Sequence, residues 1–227
     1  MRPLILALSA AAAATALPLS IASAQASTYD RTAPLPRRAP LAREAEVSMA
    51  RAAAPAAVSG QATIFVAGPA GYEVAVRGTN GWGCFVQRNA RGDGTFPRCD
   101  DAERKATLYP VYFLLEEFRA AGKSATDYDA AVAEGYRTGK YRAPAKGALS
   151  YMLAEGAIKP HVMISVPGCR ATQLGLANDE AMQDSTLTTI FRGIGDRDCD
   201  MVIWTGEASV IRHGVIPHGV LPAGRRN

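Results

Sequence analysis

Two of the four cysteines, Cys84 and Cys99, flank a loop of turn-forming residues, and this arrangement constrains the fold more than any other feature of the sequence. The loop covers residues 89–94, and both cysteines lie equally far from its midpoint. In a β-hairpin they would face each other, with Cβ atoms close to disulfide distance. The sequence therefore predicts a disulfide-bonded hairpin of residues 81–88 and 95–101. Pro97 further indicates that the return strand lies at a sheet edge.

The N-terminus is typical of a cleaved export signal. Arg2 precedes an apolar stretch over residues 4–17, and residues 22–24 are the small side chains that signal peptidase accepts. The stretch is shorter than the roughly 20 residues that span a bilayer, which favours a signal over a membrane anchor. We expect cleavage after Ala24, with a cut after Ala26 as the alternative. The expected product is a soluble periplasmic or secreted protein with no transmembrane segment.

Export also bears on the other two cysteines. An even number of cysteines with no Cys-x-x-Cys pair favours disulfides over a zinc site in an oxidising compartment. With Cys84 assigned to Cys99, the remaining pair is Cys169 with Cys199. A nucleophilic thiol is the alternative interpretation.

The composition, with 48% hydrophobic and 20% charged residues, excludes a disordered chain. After a signal peptide over residues 1–24, we expect residues 25–57 to form a flexible, proline-rich arm and a surface helix. The helix covers residues 41–54 and has only a thin apolar stripe. Residues 58–227 are then expected to form a single globular domain.

Hydrophobic periodicity predicts the elements of that domain. Strands are expected at residues 62–66, 72–77 and 82–88, joined by short turns as an antiparallel meander, and later at residues 149–153, 161–166 and 201–204. Between them, one helix is predicted to begin at Pro110 and a second to be capped by Ser124. A short helix is also expected within residues 179–188. The predicted fold class is therefore α+β, an antiparallel or mixed sheet with a helix pair packed on one face and stapled by disulfides.

Local motifs for catalysis are missing from the sequence. It contains no G-x-S-x-G, no G-x-G-x-x-G and no P-loop, so we predict no cofactor. The net charge of +4 is too small to predict nucleic-acid binding. His161 with an acidic partner such as Asp198 is the catalytic candidate for a hydrolase. The alternative is a histidine bonded to the backbone at the start of a strand.

Four carboxylates have the spacing of positions 1, 3, 5 and 12 of an EF-hand calcium loop. They are Asp196, Asp198, Asp200 and Glu207. Met201 stands where that loop needs glycine, and a strand pattern follows it. The residues favour an acidic, solvated turn, with a calcium-stabilised structural protein as the alternative.

Tyrosines and basic residues cluster towards the end of the predicted helix pair. The candidate ligand-binding residues are Tyr136, Arg137, Lys140, Tyr141, Arg142 and Tyr151. Together they could line a groove for an acidic or glycan component of the cell envelope. The alternative is that the rings cover the edge of the core.

Five segments carry a resemblance to a known group of proteins. They are QATIFV at 61–66, GTNGWGCFV at 78–86, YRAP at 141–144, SYML at 150–153 and PHVM at 160–163. In this order they resemble a family of uncharacterised exported bacterial proteins, over roughly residues 43–167. The resemblance implies export and a shared fold, and it implies no catalytic residue.

From these observations we expect a non-enzymatic binding or structural protein of the bacterial envelope, with an acidic or carbohydrate ligand. The competing hypothesis is an extracytoplasmic hydrolase that uses His161.

Overall fold

The computed structural model describes residues 29–37, 41–92, 94–153, 160–168, 189–192 and 199–205. The helices of these residues are α1 (Arg43–Ala52), α2 (Ala56–Ser59), α3 (Ala102–Ala120) and α4 (Ala125–Arg137). The strands are β1 (Thr63–Gly68), β2 (Gly71–Val76), β3 (Gly83–Arg88), β4 (Thr95–Asp100), β5 (Leu149–Met152), β6 (His161–Ser165), β7 (Thr189–Arg192) and β8 (Asp200–Trp204). They form one mixed sheet in the order β2-β1-β3-β4-β5-β6-β8-β7. The predicted α+β class is confirmed.

The hairpin β3–β4 forms with the predicted register. Cys84 lies opposite Cys99, their Cα atoms are 4.0 Å apart, and the two sulfurs are bonded. Asn89 and Gly94 form a hydrogen-bonded pair, because the amide of Asn89 donates to the carbonyl of Gly94. Hydrogen-bonded and non-hydrogen-bonded pairs alternate along an antiparallel ladder, so Cys84 and Cys99, five pairs further on, form a non-hydrogen-bonded pair. Paired Cα atoms approach most closely at such positions. The local turn therefore determines where the disulfide can form.

The prediction that Pro97 marks an edge strand is wrong, because β4 lies between β3 and β5. Pro97 pairs with Val86 at a non-hydrogen-bonded position, so its missing N–H costs no bond to β3. Towards β5, its carbonyl accepts the N–H of Leu153 at 2.9 Å, just beyond the end of that strand. The N–H that Pro97 lacks would therefore lie just beyond the last residue pair between β4 and β5. For this reason a proline can be present in this central strand.

The first three strands differ from the predicted meander. β1 pairs with β2 in antiparallel fashion, but β3 pairs with β1 in parallel and leaves β2 at the edge. After β2 the chain crosses back to the other side of β1 before β3 begins. This crossing is possible because the backbone of Gly78 lies directly against β1. A Cβ at Gly78 would lie 2.3 Å from the backbone of Ala62, so only glycine fits there.

Helix α1 packs on the face of the sheet formed by β1, β3 and β4. Glu46 and Ala50 are buried, and Ala50 belongs to a core cluster with Ile64 and the disulfide. The sequence predicts a surface helix with a thin apolar stripe, and in the structure only Glu46 and Ala50 of the helix are buried. Small alanine side chains let the helix approach the sheet closely, so no broad stripe is needed. The helix is part of the same packed unit as the strands, and no structural break separates it from residue 58 onwards.

The predicted helix pair covers the opposite face. α3 packs on the sheet and α4 packs on α3. However, α3 begins at Ala102 instead of Pro110, because the Asp101 side chain caps it by accepting the N–H of Arg104 at 2.9 Å. Pro110 is exposed within the helix. The capping box predicted at Ser124 is present, with both reciprocal bonds to Asp127.

The aromatic core lies under α3. Tyr109 and Phe113 of the helix pack edge-on against Phe65 of β1 and Phe85 of β3, with ring centroids 4.7–5.5 Å apart. Tyr109 also donates to the carbonyl of Gly83 at 2.5 Å. Within the part of the chain that the structure describes, no helix has the length and apolarity required to cross a membrane.

Candidate functional site

Four charged side chains are buried between α3 and the sheet, and we call them the arginine–aspartate network: Arg98, Asp100, Arg104 and Asp200. Arg98 Nε lies 2.8 Å from Asp100 Oδ2, and Arg104 Nε lies 3.1 Å from Asp100 Oδ1. Arg104 Nη1 reaches Asp200 Oδ1 at 2.6 Å. The network therefore joins β4 and α3 to β8, and its two positive and two negative charges balance.

The network holds the Asp100 carboxylate ionised. Burial raises the pKa of Asp100, but the positive charges of Arg98 and Arg104 outweigh this effect and lower the pKa below its usual range. Burial alone would lower the pKa of Arg98. The Asp100 carboxylate, with smaller contributions from Tyr112 and Tyr109, outweighs burial and raises this pKa above its usual value. A carboxylate held in this way is neither an acid nor a base near neutral pH. We therefore assign the network a structural role.

The other face of the sheet carries a second buried ion pair, with incomplete hydrogen bonding. Glu46 Oε1 of α1 lies 2.9 Å from Arg88 Nη1 and also accepts the N–H of Ala67 at 3.1 Å. Arg88 donates further to the carbonyl of Val86 at 3.3 Å. Glu46 Oε2 and Arg88 Nη2 are buried, and neither atom has a hydrogen-bond partner among the residues that the structure describes. Buried polar atoms without partners are uncommon in proteins.

A cleft of about 330 Å³ opens on this same side, between α1 and β2, and we call it the α1–β2 cleft. It is lined by Arg43, Glu44, Val47, Ser48, Arg51, Ala75 and Val76. A register shift lies behind it: Ile64 pairs with Val76 and Phe65 with Val74, so Ala75 is an extra residue in β2. This β-bulge brings both Ala75 and Val76 to the cleft. Bulges of this kind often lie beside binding sites.

Arg51 is the distinctive residue of the α1–β2 cleft. Its Nε is buried, and no residue in the described part of the chain accepts a hydrogen bond from it. The second arginine, Arg43, lies two helical turns away and is already engaged by the Glu73 carboxylate and, at 3.4 Å, by the carbonyl of Val74. Val47 and Val76 add apolar surface between them. The arrangement offers an unused cationic donor above an apolar floor.

The structure does not bring all six residues of the predicted tyrosine–arginine groove together. Tyr151 faces the α1 side, where it packs on Trp82 with ring centroids 5.7 Å apart. Tyr136 and Tyr141 contact each other beside α4, with centroids 5.8 Å apart. Tyr141 is itself buried against Gly135, where a Cβ would lie 2.2 Å from the ring.

The basic residues of that groove already have neighbours. Arg137 pairs with Glu134 at 2.5 Å, and Arg142 pairs with Glu103 at 2.5 Å. The Lys140 ammonium lies 5.2 Å from the centre of the Tyr141 ring. Tyr141 is buried, whereas the Arg137 and Arg142 side chains are largely exposed, so ligand binding by these residues stays a prediction.

His161 is buried at the start of β6, on the same face of the strand as Met163 and Ser165. Its predicted acidic partner, Asp198, lies outside the described residues, as do Asp196 and Glu207 of the calcium pattern and the helix expected at 179–188. Asp200, the remaining member of that pattern, is taken up by Arg104. Among the described residues, no group of carboxylate, histidine or cysteine side chains could hold a metal ion.

Cys199 is buried and disulfide-bonded. Its predicted partner, Cys169, lies outside the described residues, so the pairing of these two cysteines stays a prediction.

Comparison with known proteins adds no relative: no family model, no curated protein and no solved structure matches the chain.

The α1–β2 cleft is not predicted from the sequence, because the pattern of α1 does not show which strands the helix packs against. A signal for it exists, since Arg43, Val47 and Arg51 are spaced four residues apart and therefore share one face of the helix. The facing wall, at the bulge in β2, depends on a register that no local pattern predicts.

Proposed function

We propose that this chain is an exported, non-enzymatic protein that binds an acidic ligand in the α1–β2 cleft. The observation that carries the proposal is the Nε of Arg51, a buried cationic donor that no group of the described residues satisfies. A buried donor without an acceptor costs about 1–3 kcal/mol. A carboxylate or phosphate in the cleft would remove that cost with a charge-assisted hydrogen bond.

The lining of the cleft supports a ligand with one acidic group and an apolar or sugar face. Arg43 and Arg51 contribute two positive charges and Glu44 one negative charge. Val47, Ala75 and Val76 supply the surface on which a sugar ring or a short aliphatic segment could lie. We take a uronic acid, which combines a carboxylate with a sugar ring, as the first probe.

Export to the periplasm or the exterior of a bacterial cell is part of the proposal. It rests on the signal-like N-terminus and on the disulfides, which persist in oxidising compartments. An acidic or glycan component of the envelope is the partner that fits this location and the cleft.

The test is a calorimetric titration of the mature chain with sodium glucuronate, with glucose as the neutral comparison. Arg51→Gln should weaken glucuronate binding at least tenfold, because it removes the charge that faces the ligand. Arg137→Gln is the matched control, since Arg137 is an exposed arginine on α4, on the far side of the sheet. It should leave binding unchanged.

Equal affinity of Arg51→Gln and the unaltered chain would refute a site at this cleft. Equal affinity for glucuronate and glucose would refute the requirement for an acid. If inorganic phosphate binds and glucuronate does not, the proposed sugar face is wrong.

A further inference from the structure

Residues 29–37, which we call the N-terminal strap, lie in a groove between the α3–α4 corner and the β3–β4 turn. Leu35 is only 2% exposed and packs with Leu115 and Ala125. Its amide donates to the carbonyl of Lys123 at 2.8 Å, and Pro34 forms an isolated antiparallel bridge with Ser124. Residues 29–37, which belong to the arm expected to be flexible, therefore pack at a defined position against the fold.

The groove is equipped to hold an extended backbone. Arg119 is buried, and its Nε is fixed by the Glu116 carboxylate at 3.2 Å. One of its terminal nitrogens donates to the strap carbonyl of Pro36 at 2.7 Å, and the other to the carbonyl of Asn89 at 2.9 Å. A guanidinium held in this way is a preorganised receptor for a peptide carbonyl.

The N-terminal half of the strap adds two side-chain contacts and one main-chain bond. The Tyr29 hydroxyl donates to the carbonyl of Ala90 at 3.1 Å. The guanidinium of Arg31 pairs with the carboxylate of Asp129 on α4. The carbonyl of Arg31 accepts the N–H of Thr126 at 3.0 Å. Main-chain bonds, one apolar anchor and one ion pair are the components of peptide recognition by a groove.

We propose that this groove is a peptide-recognition site and that the strap is its resident, displaceable ligand. The class of ligand is a segment that turns just after an arginine and then runs extended through a leucine between two prolines. The prolines hold the Pro-Leu-Pro part extended before it binds, which lowers the entropy lost on binding. This site is separate from the α1–β2 cleft, and neither proposal depends on the other.

A single buried side chain, Leu35, anchors the strap, and its ion pair between Arg31 and Asp129 is exposed. The strap competes with any other peptide because it is tethered next to the groove at a high effective concentration. Weakening the anchor in the chain should therefore open the groove to the same sequence supplied separately.

The experiment uses a fluorescein-labelled peptide of residues 27–40 and measures its anisotropy with the full mature chain. The Leu35→Ala chain should bind this peptide at least about tenfold more tightly than the unaltered chain, because its own strap competes less well. A peptide that itself carries Leu35→Ala is the control and should bind neither chain. Equal binding of the labelled peptide by both chains, or binding by neither, would overturn the proposal.

A second measurement uses the unaltered chain, so it does not depend on the folding of a variant. Excess unlabelled peptide should accelerate hydrogen exchange at the Leu35 amide, which is bonded to Lys123 in the docked strap. The amide of Ser165, bonded to Ala148 within the sheet, should exchange at an unchanged rate. An unchanged rate at Leu35 under saturating peptide would show that the strap is a fixed part of the fold.

Discussion

The two faces of the sheet both bury ionised groups, but they differ in how these groups are satisfied. Under α3, Arg98 and Arg104 share Asp100, and Arg104 also holds Asp200. Under α1, Glu46 and Arg88 pair with each other, and each keeps one buried atom that no described residue satisfies by a hydrogen bond. The Nε of Arg51, which also lacks an acceptor within the described ranges, lies on this second side as well.

The difference indicates how the faces contribute to stability and to binding. A buried charge that loses its partner destabilises a protein strongly, so a fully paired network ties its elements together. On a face with unsatisfied donors and acceptors, a substitution removes fewer hydrogen bonds within the fold. The unsatisfied atoms can instead form hydrogen bonds with a ligand. We therefore expect substitutions to be costlier under α3 than under α1.

The largest expected effect is that of Arg104→Met, which leaves Asp100 and Asp200 without the guanidinium that joins them. Breaking a buried pair in this way costs about 3–5 kcal/mol. Urea denaturation followed by circular dichroism measures the loss in free energy of unfolding. Arg137→Met is the control, because its ion pair with Glu134 is exposed and its loss should leave the free energy of unfolding nearly unchanged. A loss for Arg104→Met no larger than that of the control would contradict the structural role of the network.

Glu46→Gln should have a smaller effect, about 1–3 kcal/mol. Glutamine keeps an oxygen for the N–H of Ala67, and Arg88 keeps the carbonyl of Val86, so the change removes a charge without removing every bond. The same denaturation experiment provides the comparison. If Glu46→Gln proves as costly as Arg104→Met, the proposed difference between the two faces is wrong.

The smallest effect is expected at the rim of the α3 face. Hydrogen bonds from Arg142 and from the backbone of Ala145 lower the pKa of Glu103 to about 2 from its ordinary value of 4.5. A carboxyl group with a lowered pKa stabilises the fold above pH 4.5, and this contribution is lost as the pH falls from 4.5 towards 2. The stability difference between the unaltered chain and Glu103→Gln should therefore shrink over that interval. If the stability difference does not change with pH, the pKa of Glu103 is not lowered in the folded state and the prediction is wrong.

Features that depend on neighbouring residues could be predicted from the sequence. The β3–β4 register follows from one loop, and the disulfide between Cys84 and Cys99 follows from that register. The capping box at Ser124 involves residues three positions apart. In each case the interacting groups are set by local geometry, so the pattern contains the necessary information.

Features that depend on distant partners could not be predicted. Glu46 looks like a solvated residue of a surface helix until Arg88, in a strand far along the chain, is placed beneath it. The start of α3 was misplaced because Pro110 is a strong helix-start signal, whereas the cap is made by Asp101. The α1–β2 cleft combines both difficulties, since it needs the position of α1 and the bulge at Ala75.

The contact between Gly135 and Tyr141 has a consequence for how this chain can change over evolutionary time. Glycine within a helix costs about 1 kcal/mol relative to alanine, yet even the single methyl group of alanine at 135 would overlap the aromatic ring. Position 141 can change alone, but a residue with a side chain can appear at 135 only after the ring at 141 has been lost. The contact therefore fixes the order in which the two substitutions can occur.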